Sequence, residues 1–213
     1  GRIDRGVWED DRLVDYVEDV IAALRRISVY SPDPVKMRSY CQITDVDMRM
    51  NCENISSVLY DICKDREKRN ALIGFIRRLP ENEIEDIDFI KTKLGDVIFA
   101  LRERYLSSFE LVDAKKLSDG TLRCIAIIAA VLSLEKGSVI VVEEMDNGVH
   151  PSRLNELLSE LQGILRRNNS CMIITTHNAG MLDDYGKKEL AGVSVIYRDE
   201  DKGTSRIISA SDI

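Results

Sequence analysis

Two adjacent carboxylates, Glu143 and Glu144, directly follow a run of four apolar β-branched residues, Val139–Val142. The run predicts a buried strand over 138–143. A carboxylate that ends such a strand without a partner is costly, and Mg²⁺ would remove that cost because it prefers one or two carboxylates together with phosphate oxygens. The alternative is that both acids simply reach solvent at a strand end. The pattern alone leaves a nucleotide–Mg²⁺ site and a solvated strand end both open.

A second group that could do chemistry is Ser118-Asp-Gly-Thr121, which leads directly into a nearly all-apolar helix predicted over 121–134. Gly120 permits close backbone approach. The hydroxyl of Ser118 and the free N–H groups at the start of the helix would form a cradle for a phosphate. The other interpretation is an ordinary helix N-cap, for which Ser, Asp and Thr are all suited.

The chain has two histidines, His150 and His177. His177 follows a second buried strand, predicted over 171–176, so it lies at the same edge of the sheet as the two glutamates, where open α/β sheets bind their ligands. A satisfied structural histidine is the alternative for His177. His150, which precedes Pro151, could equally serve only to shape a loop. Cysteines and histidines do not cluster at zinc spacing.

These groups need a scaffold of strand, helix and strand, with the helix beginning at Pro151 and running to about residue 167. The unbroken apolar strands predict an α/β fold, a parallel sheet covered by helices on both faces. The other predicted elements are a helix over 8–27, a helical region over about 54–79 with Asn54 as a possible N-cap, a hairpin of strands 88–94 and 97–102 with a two-residue turn at Gly95-Asp96, and a closing hairpin of 193–198 and 205–209.

Composition limits the possible partners. The net charge is −7, from 30 basic and 37 acidic residues, which argues against a general nucleic-acid-binding surface on this chain. An apolar run long enough to span a membrane does not occur in the sequence. The five cysteines are odd in number and contain no C-x-x-C, so we expect a reduced protein in the cytoplasm.

The order of the motifs carries a resemblance. Four motifs in this order resemble the second half of an ABC-type ATPase head. They are Leu117-Ser-Asp-Gly-Thr, the apolar strand with Glu143-Glu144, Val149-His-Pro151 and Thr175-Thr-His177. More narrowly, residues 117–182 resemble the RecF/SMC/OLD-like ATP-binding proteins of bacteria, many of which serve in phage defence. Residues 27–112 resemble, more loosely, the insert of such a head. The chain is therefore expected to divide into a helical insert and hairpin region over 1–112 and a signature, Walker B and switch lobe over 113–213.

The resemblance implies roles for single residues. Glu143 matches the Walker B acid that supports Mg²⁺, which is usually Asp in the family, and Glu144 matches the catalytic glutamate that orients and deprotonates the attacking water. His177 matches the switch histidine that senses the γ-phosphate. The resemblance implies that the signature residues contact ATP held by the other subunit of a dimer. It also implies that the segment after Walker B lies at the dimer interface. The residues concerned are Ser118, Asp119 and Gly120 for the signature, and Asp146 and His150 for the interface.

The phosphate-binding motif G-x-x-x-x-G-K-[ST], called Walker A, does not occur in the sequence. The stretch from Gly180 to Lys188 has one residue too many between its glycines. Family members carry Walker A ahead of everything seen here, so either a lobe precedes Gly1, which the missing Met favours, or the protein is degenerate. In either case we expect the chain by itself to show little or no ATPase activity.

The resemblance implies an ATP- and Mg²⁺-dependent ATPase that forms a homodimer on ATP and regulates a separately encoded nuclease or other effector, in phage defence. Nucleic acid would be reached through that partner or through a missing lobe, and no membrane is involved. The alternative is a non-hydrolysing relic that acts as a scaffold for a partner protein. A nuclease domain of its own is not favoured, because only residues 178–213 follow His177.

Overall fold

The computed structural model describes residues 11–79, 83–106, 108–183 and 185–212. The chain forms two compact units, one ending at His177 and the other beginning at Asn178. The helices are α1 (Asp11–Arg25), α2 (Pro34–Met37), α3 (Ile55–Ile62), α4 (Arg66–Ile76), α5 (Asp119–Leu132), α6 (Pro151–Arg167) and α7 (Lys187–Leu190). The strands are β1 (Ile27–Tyr30), β2 (Cys41–Gln42), β3 (Glu83–Lys91), β4 (Asp96–Tyr105), β5 (Ser108–Asp113), β6 (Val139–Val142), β7 (Cys171–Ile174), β8 (Ser194–Asp199) and β9 (Thr204–Ser209).

A parallel sheet of β1, β6 and β7, in that order, forms the centre of the first unit. The prediction of an α/β fold with a parallel sheet is confirmed, and so are the two strands and the helix between them. β1 is a strand that the sequence pattern did not reveal, because its four residues follow α1 after a single residue and share the apolar character of the helix. The predicted start of α1 at residue 8 lies outside the described residues.

The helix α5 forms the core of the first unit. Nearly all its side chains are buried, including Leu122, Ile125 and Ile128, because α5 packs against α3, α4, α6 and the strand β6. The opposite face of the sheet is more open. Ile27, Val29 and Ile173 are 43%, 39% and 51% exposed. The expectation that helices bury both faces therefore holds on the α5 side only, within the described residues.

A second, antiparallel sheet consists of β2 to β5, with β4 paired to the other three strands. Its inner face buries Phe99 and Leu101 completely, against α3. The predicted hairpin is present, but its predicted turn is wrong. Asp96 belongs to β4, and the loop is 92–95, closed by the Thr92 amide donating to the Asp96 carbonyl at 2.9 Å with Gly95 at φ +86°. The strand β5 was not predicted.

Asn54 precedes α3 as predicted, but its side chain does not cap the helix. It is fully buried, and its amide nitrogen donates to the carbonyl oxygens of Asp45 and Asp47, both at 2.8 Å. Its carbonyl oxygen accepts from the Arg49 amide at 3.0 Å. Asn54 therefore fixes the loop that leads into α3. The helical region itself is divided into α3 and α4, and α4 begins at Arg66, directly after Asp65, whose carboxylate caps the helix.

In the second unit, β8 and β9 form the closing hairpin that the sequence predicts. Gly180 lies in a short 3₁₀ helix, Ala179–Leu182, and Gly186 precedes α7. This stretch therefore does not form a phosphate loop joining a strand to a helix. Among the described residues, the helices do not include one that is long and apolar enough to cross a membrane.

Candidate nucleotide site

The backbone turns sharply at Glu144. The amide of Glu143 still extends the sheet, donating to the Tyr30 carbonyl at 2.9 Å. Glu144 then adopts φ +48°, in the left-handed region that a residue with a side chain rarely occupies. Its amide donates to Thr175 Oγ1 at 3.1 Å, and the amide of Met145 donates to the Thr175 carbonyl at 3.3 Å. Thr175, at the end of the neighbouring strand, thus holds Glu144 in a strained conformation.

The two carboxylates differ in their surroundings. Both Glu143 and Glu144 are exposed at the carboxyl edge of the sheet, as predicted. One carboxylate oxygen of Glu144 accepts a hydrogen bond from Asn147 Nδ2 at 2.7 Å, and the amide of Asn147 donates back to the Glu144 carbonyl at 3.2 Å. Asn147 therefore orients the acid that resembles a catalytic base. Asn147 is a functional candidate that the motifs in the sequence do not include, although an Asn three residues after the acid could have indicated such a turn.

His177 lies two residues beyond Thr175, at the same edge of the sheet, and its side chain is exposed. The structure thus brings Glu143, Glu144 and His177 to one edge, because β6 and β7 are parallel neighbours. The Tyr30 hydroxyl stands at the end of the third strand, and burial raises its pKa above the ordinary value, so it remains protonated near neutral pH.

Ser118 is an N-cap in the structure. Its backbone is extended, and its hydroxyl accepts from the Thr121 amide at 3.2 Å and lies 3.0 Å from Thr121 Oγ1. The N-cap interpretation is therefore correct, and it does not conflict with a phosphate contact because the side chains of Ser118 and Asp119 are exposed. Arg38 Nη2 also binds this loop, donating to the Leu117 carbonyl at 2.8 Å and to Asp119 Oδ1 at 2.7 Å.

Gly120 packs closely against the loop that follows Glu144. A Cβ atom on Gly120 would lie 2.3 Å from the carbonyl oxygen of Gly148, in the loop that follows Glu144. Gly148 itself has φ +75°. The start of α5 and the loop before α6 therefore touch backbone to backbone. This contact places the predicted signature residues beside the loop that contains Asp146, which is half-buried, and that ends at His150, which is exposed.

His150 precedes Pro151 and occupies the N-cap position of α6. Its backbone carbonyl accepts from the amides of Arg153 and Leu154, at 3.1 and 3.2 Å. Any residue at this position could make these backbone bonds, so they do not test whether the His150 side chain shapes the loop. An interface role for its side chain stays a prediction.

An open cleft of about 660 Å³ lies at the carboxyl end of β1 and reaches Glu144. Its volume is within the range of small-ligand sites. The cleft includes three cationic side chains and three acidic ones. Its lining comprises Ser31, Pro32, Asp33, Lys36, Arg49, Met50, Asn51, Glu53, Arg123 and Glu144. Apart from Glu144, the sequence analysis did not single out any of these residues, because they converge only when β1 pairs with β6.

The donor set at this edge fits Mg²⁺. In the part of the chain that the structure describes, three or more His, Cys, Asp or Glu side chains do not converge on a point that could hold a metal ion. Mg²⁺ does not require such a cage, since one or two carboxylates suffice when phosphate oxygens and waters complete the shell. Glu143 and Glu144 are both exposed, and Glu144 lines the cleft; these are the residues that would supply those carboxylates.

Comparisons with known proteins agree with this geometry. The family model described as "AAA domain, putative AbiEii toxin, Type IV TA system" matches residues 44–183. The energy-coupling factor transporter ATP-binding protein EcfA2 of Bacillus cereus is 28% identical over 121 residues, which are 50% of this chain and 41% of that protein. The chain thus spans less than half the length of this relative.

Two solved structures show a weaker likeness. One is described as "Structural biochemistry of ATP-driven dimerization and DNA stimulated activation of SMC ATPases", with a TM-score of 0.46 and 11% identity over 71% of this chain and 84% of that one. The other is the SMC head domain from Thermotoga maritima, with a TM-score of 0.43 and 14% identity over 70% and 49% of the two chains. TM-scores below 0.5 do not by themselves define a common fold.

The parallel sheet, the acids that end β6 and the helix capped by Ser118 agree with a nucleotide-binding α/β domain of the AAA type. The match of the family model covers more than half of the chain. The chain belongs to the AAA-domain family that this model describes.

Proposed function

We propose that the full protein binds Mg²⁺–ATP at the carboxyl edge of the parallel sheet and hydrolyses it with Glu144 as the general base, and that the 213-residue chain by itself has little or no activity because Walker A is absent from it. The observation that carries the proposal is the constraint on Glu144. Its left-handed backbone is fixed by Thr175, and its carboxylate is fixed by Asn147. Residues in sparsely populated backbone conformations cost about 1–3 kcal/mol and cluster at active sites. The family assignment and the ATP-binding relative support the same conclusion.

In this mechanism the chain's residues act mainly by position and charge. Phosphoryl transfer needs a water held in line with the terminal phosphate and compensation for the charge that spreads over its oxygens. Glu144 would orient the water and accept its proton, a contribution of about 10²- to 10⁴-fold in rate. Glu143 would hold Mg²⁺, which neutralises charge on the phosphates when bound, and His177 would contact the terminal phosphate.

We further propose that ATP joins two copies of the protein through the residues at the start of α5. Ser118 and Asp119 are exposed, so a second copy can reach them. The backbone contact between Gly120 and Gly148 couples this surface to the loop that carries Asn147. Formation of the dimer would thereby be coupled to the conformation of Glu144. Asp146 and His150, in the same loop, would lie near the interface.

The purpose of such a switch would be to control another protein. We propose a separately encoded nuclease or other effector, acting in phage defence in the cytoplasm, with nucleic acid reached through that partner. The net charge of −7 supports a regulator more than a direct nucleic-acid reader. Affinity purification from the native host with and without ATP checks this step. Recovery of the protein alone in both conditions, with no defence phenotype on deletion of the gene, would contradict it.

Hydrolysis is tested by Glu144→Gln in the full gene product, followed by phosphate release and by binding of a fluorescent ATP analogue. We expect binding to persist and turnover to fall by about 10²-fold or more, because only the base is removed. Glu135→Gln is the matched control. Glu135 is also an exposed glutamate, but it precedes the amino end of β6 instead of following its carboxyl end.

Three outcomes separate the functions. Loss of turnover in Glu144→Gln together with normal turnover in Glu135→Gln supports the proposed ATPase. Unchanged hydrolysis in Glu144→Gln contradicts the role of this residue. Wild-type protein that binds ATP without hydrolysing it supports the scaffold instead.

A further inference from the structure

The guanidinium group of Arg123 lies in the cleft beside Glu144 and is only partly used by the protein. Arg123 belongs to the first turns of α5, and its Nη1 donates to the Pro32 carbonyl at 2.9 Å. Its Nε is buried and has no hydrogen-bond partner among the described residues. An unpaired buried donor on a charged group is costly, and such exceptions are few in native proteins. The Arg123 side chain as a whole is half-buried and lines the open cleft.

The other two cations of the cleft are already paired. Arg49 contacts Asp45 at 2.8 Å and Glu53 at 2.6 Å. Lys36 lies 3.7 Å from Asp33. Arg123, in contrast, forms no ion pair with any residue in the described ranges. Within that part of the chain, Arg123 is the cation of this cleft whose charge is left for a ligand.

We propose that the guanidinium group of Arg123 binds a phosphate oxygen and so makes this cleft the subsite for a terminal phosphoryl group. The inference rests on the proposed function, which places a nucleotide at this edge of the sheet. A guanidinium is suited to the task because it presents planar donors that match phosphate geometry and it stays charged. The bond from Nη1 to Pro32 fixes the plane of the group, so little side-chain freedom remains to be lost on binding.

This placement also gives Arg123 a role in the reaction. Glu144 lines the same cleft, so a phosphoryl group held by Arg123 would lie beside the acid that orients the water. The negative charge that develops on the phosphoryl oxygens would be met by a fixed cation. Because Arg123 is three residues after Gly120 on α5, binding of the phosphate would also affect the position of the start of this helix.

The direct test observes the Nε–H group of Arg123 by ¹⁵N NMR in the 213-residue chain, which is small enough for this method. The signal is assigned by its disappearance in Arg123→Lys. Inorganic tripolyphosphate, which carries terminal phosphates without a base or sugar, is then titrated at constant ionic strength. We expect a saturable shift of the Arg123 signal. A single-stranded oligonucleotide, whose phosphates are diesters, forms the second arm and should leave the signal in place.

Affinity provides the second measurement. We expect Arg123→Gln to weaken tripolyphosphate binding by about tenfold or more, as for the loss of a charge-assisted hydrogen bond. Arg49→Gln is the matched control, since it removes an arginine of the same cleft that is paired with two carboxylates, and it should change affinity less than about twofold. The backbone amide spectrum of each variant verifies that the fold is retained.

The outcomes are distinct from those of the proposed function. If tripolyphosphate does not bind, or binds without moving the Arg123 signal, or binds equally well to Arg123→Gln, the inference is wrong. The inference also fails if only the oligonucleotide shifts the signal. Full hydrolysis of ATP by Arg123→Gln, with unchanged kcat and KM, would reject Arg123 and leave the ATPase standing. Phosphate binding through Arg123 in a protein that never hydrolyses ATP would reject the ATPase and leave the subsite.

Discussion

Replacing Gly120 with Ala tests the backbone contact that joins the start of α5 to the loop after Glu144. The added Cβ would lie 2.3 Å from the carbonyl oxygen of Gly148, and real Cβ contacts are essentially never below 3.0 Å. The loop or the helix must therefore shift by about 0.7 Å. Since the obstructing atom belongs to the backbone, a simple side-chain rotation cannot relieve the contact. Gly148, with φ +75°, is itself held in a left-handed turn.

The expected size follows from two opposing effects. Overpacking of a tight contact costs about 1–3 kcal/mol. Ala gains at most about 0.5–1 kcal/mol over Gly in a helix, and this gain is smaller near the helix start. The net loss in the free energy of unfolding should be about 1–2 kcal/mol. For a chain of this size that lowers Tm by roughly 2–8 °C.

Gly74→Ala is the matched control. Gly74 lies inside α4, and a Cβ on it would have no heavy atom within 4 Å. Here only the gain in helix propensity remains, so the free energy of unfolding should rise by about 0.5–1 kcal/mol. Urea unfolding followed by circular dichroism measures both variants. Equal or greater stability of Gly120→Ala, alongside the expected rise for Gly74→Ala, would refute the steric argument.

Three further predictions follow from the described contacts. Ser118→Arg in the Glu144→Gln background should abolish the ATP-dependent dimer and leave the monomer folded, as measured by sedimentation with ATP. A dimer that persists would contradict the proposal that Ser118 contacts ATP held by the other subunit. Asn54→Ala should reduce the free energy of unfolding by about 2–4 kcal/mol in chemical denaturation, because it removes the three hydrogen bonds, each worth about 0.5–1.5 kcal/mol, that this buried side chain makes to the loop before α3. At pH 8 a thiol reagent should modify the exposed Cys171 in the native protein. Cys52 should react only after unfolding, because burial raises its pKa to about 12. Rapid labelling of Cys52 in the native protein would contradict its burial.

The elements around β6 and β7 could be predicted from the sequence because each has a strong local signal. Four consecutive β-branched residues define β6, and Pro151 marks the start of α6. The residues that end these strands were identified for the same reason, since a charged residue after an apolar run is visible without any knowledge of tertiary contacts. The short β1 and the edge strand β5 lack such a signal. β1 forms because it pairs with β6, and β5 because it pairs with β4.

The sequence by itself determined the order and chemistry of the site. It showed acids at the end of a buried strand, a histidine after the next strand and a serine before an apolar helix. Tertiary structure alone decided what holds these groups. Thr175 and Asn147 fix Glu144, Gly148 meets Gly120, and Arg123 enters the cleft only because β1 places Pro32 beside α5. Such contacts depend on residues far apart in sequence, and a local pattern encodes which side chains are present without encoding which of them meet.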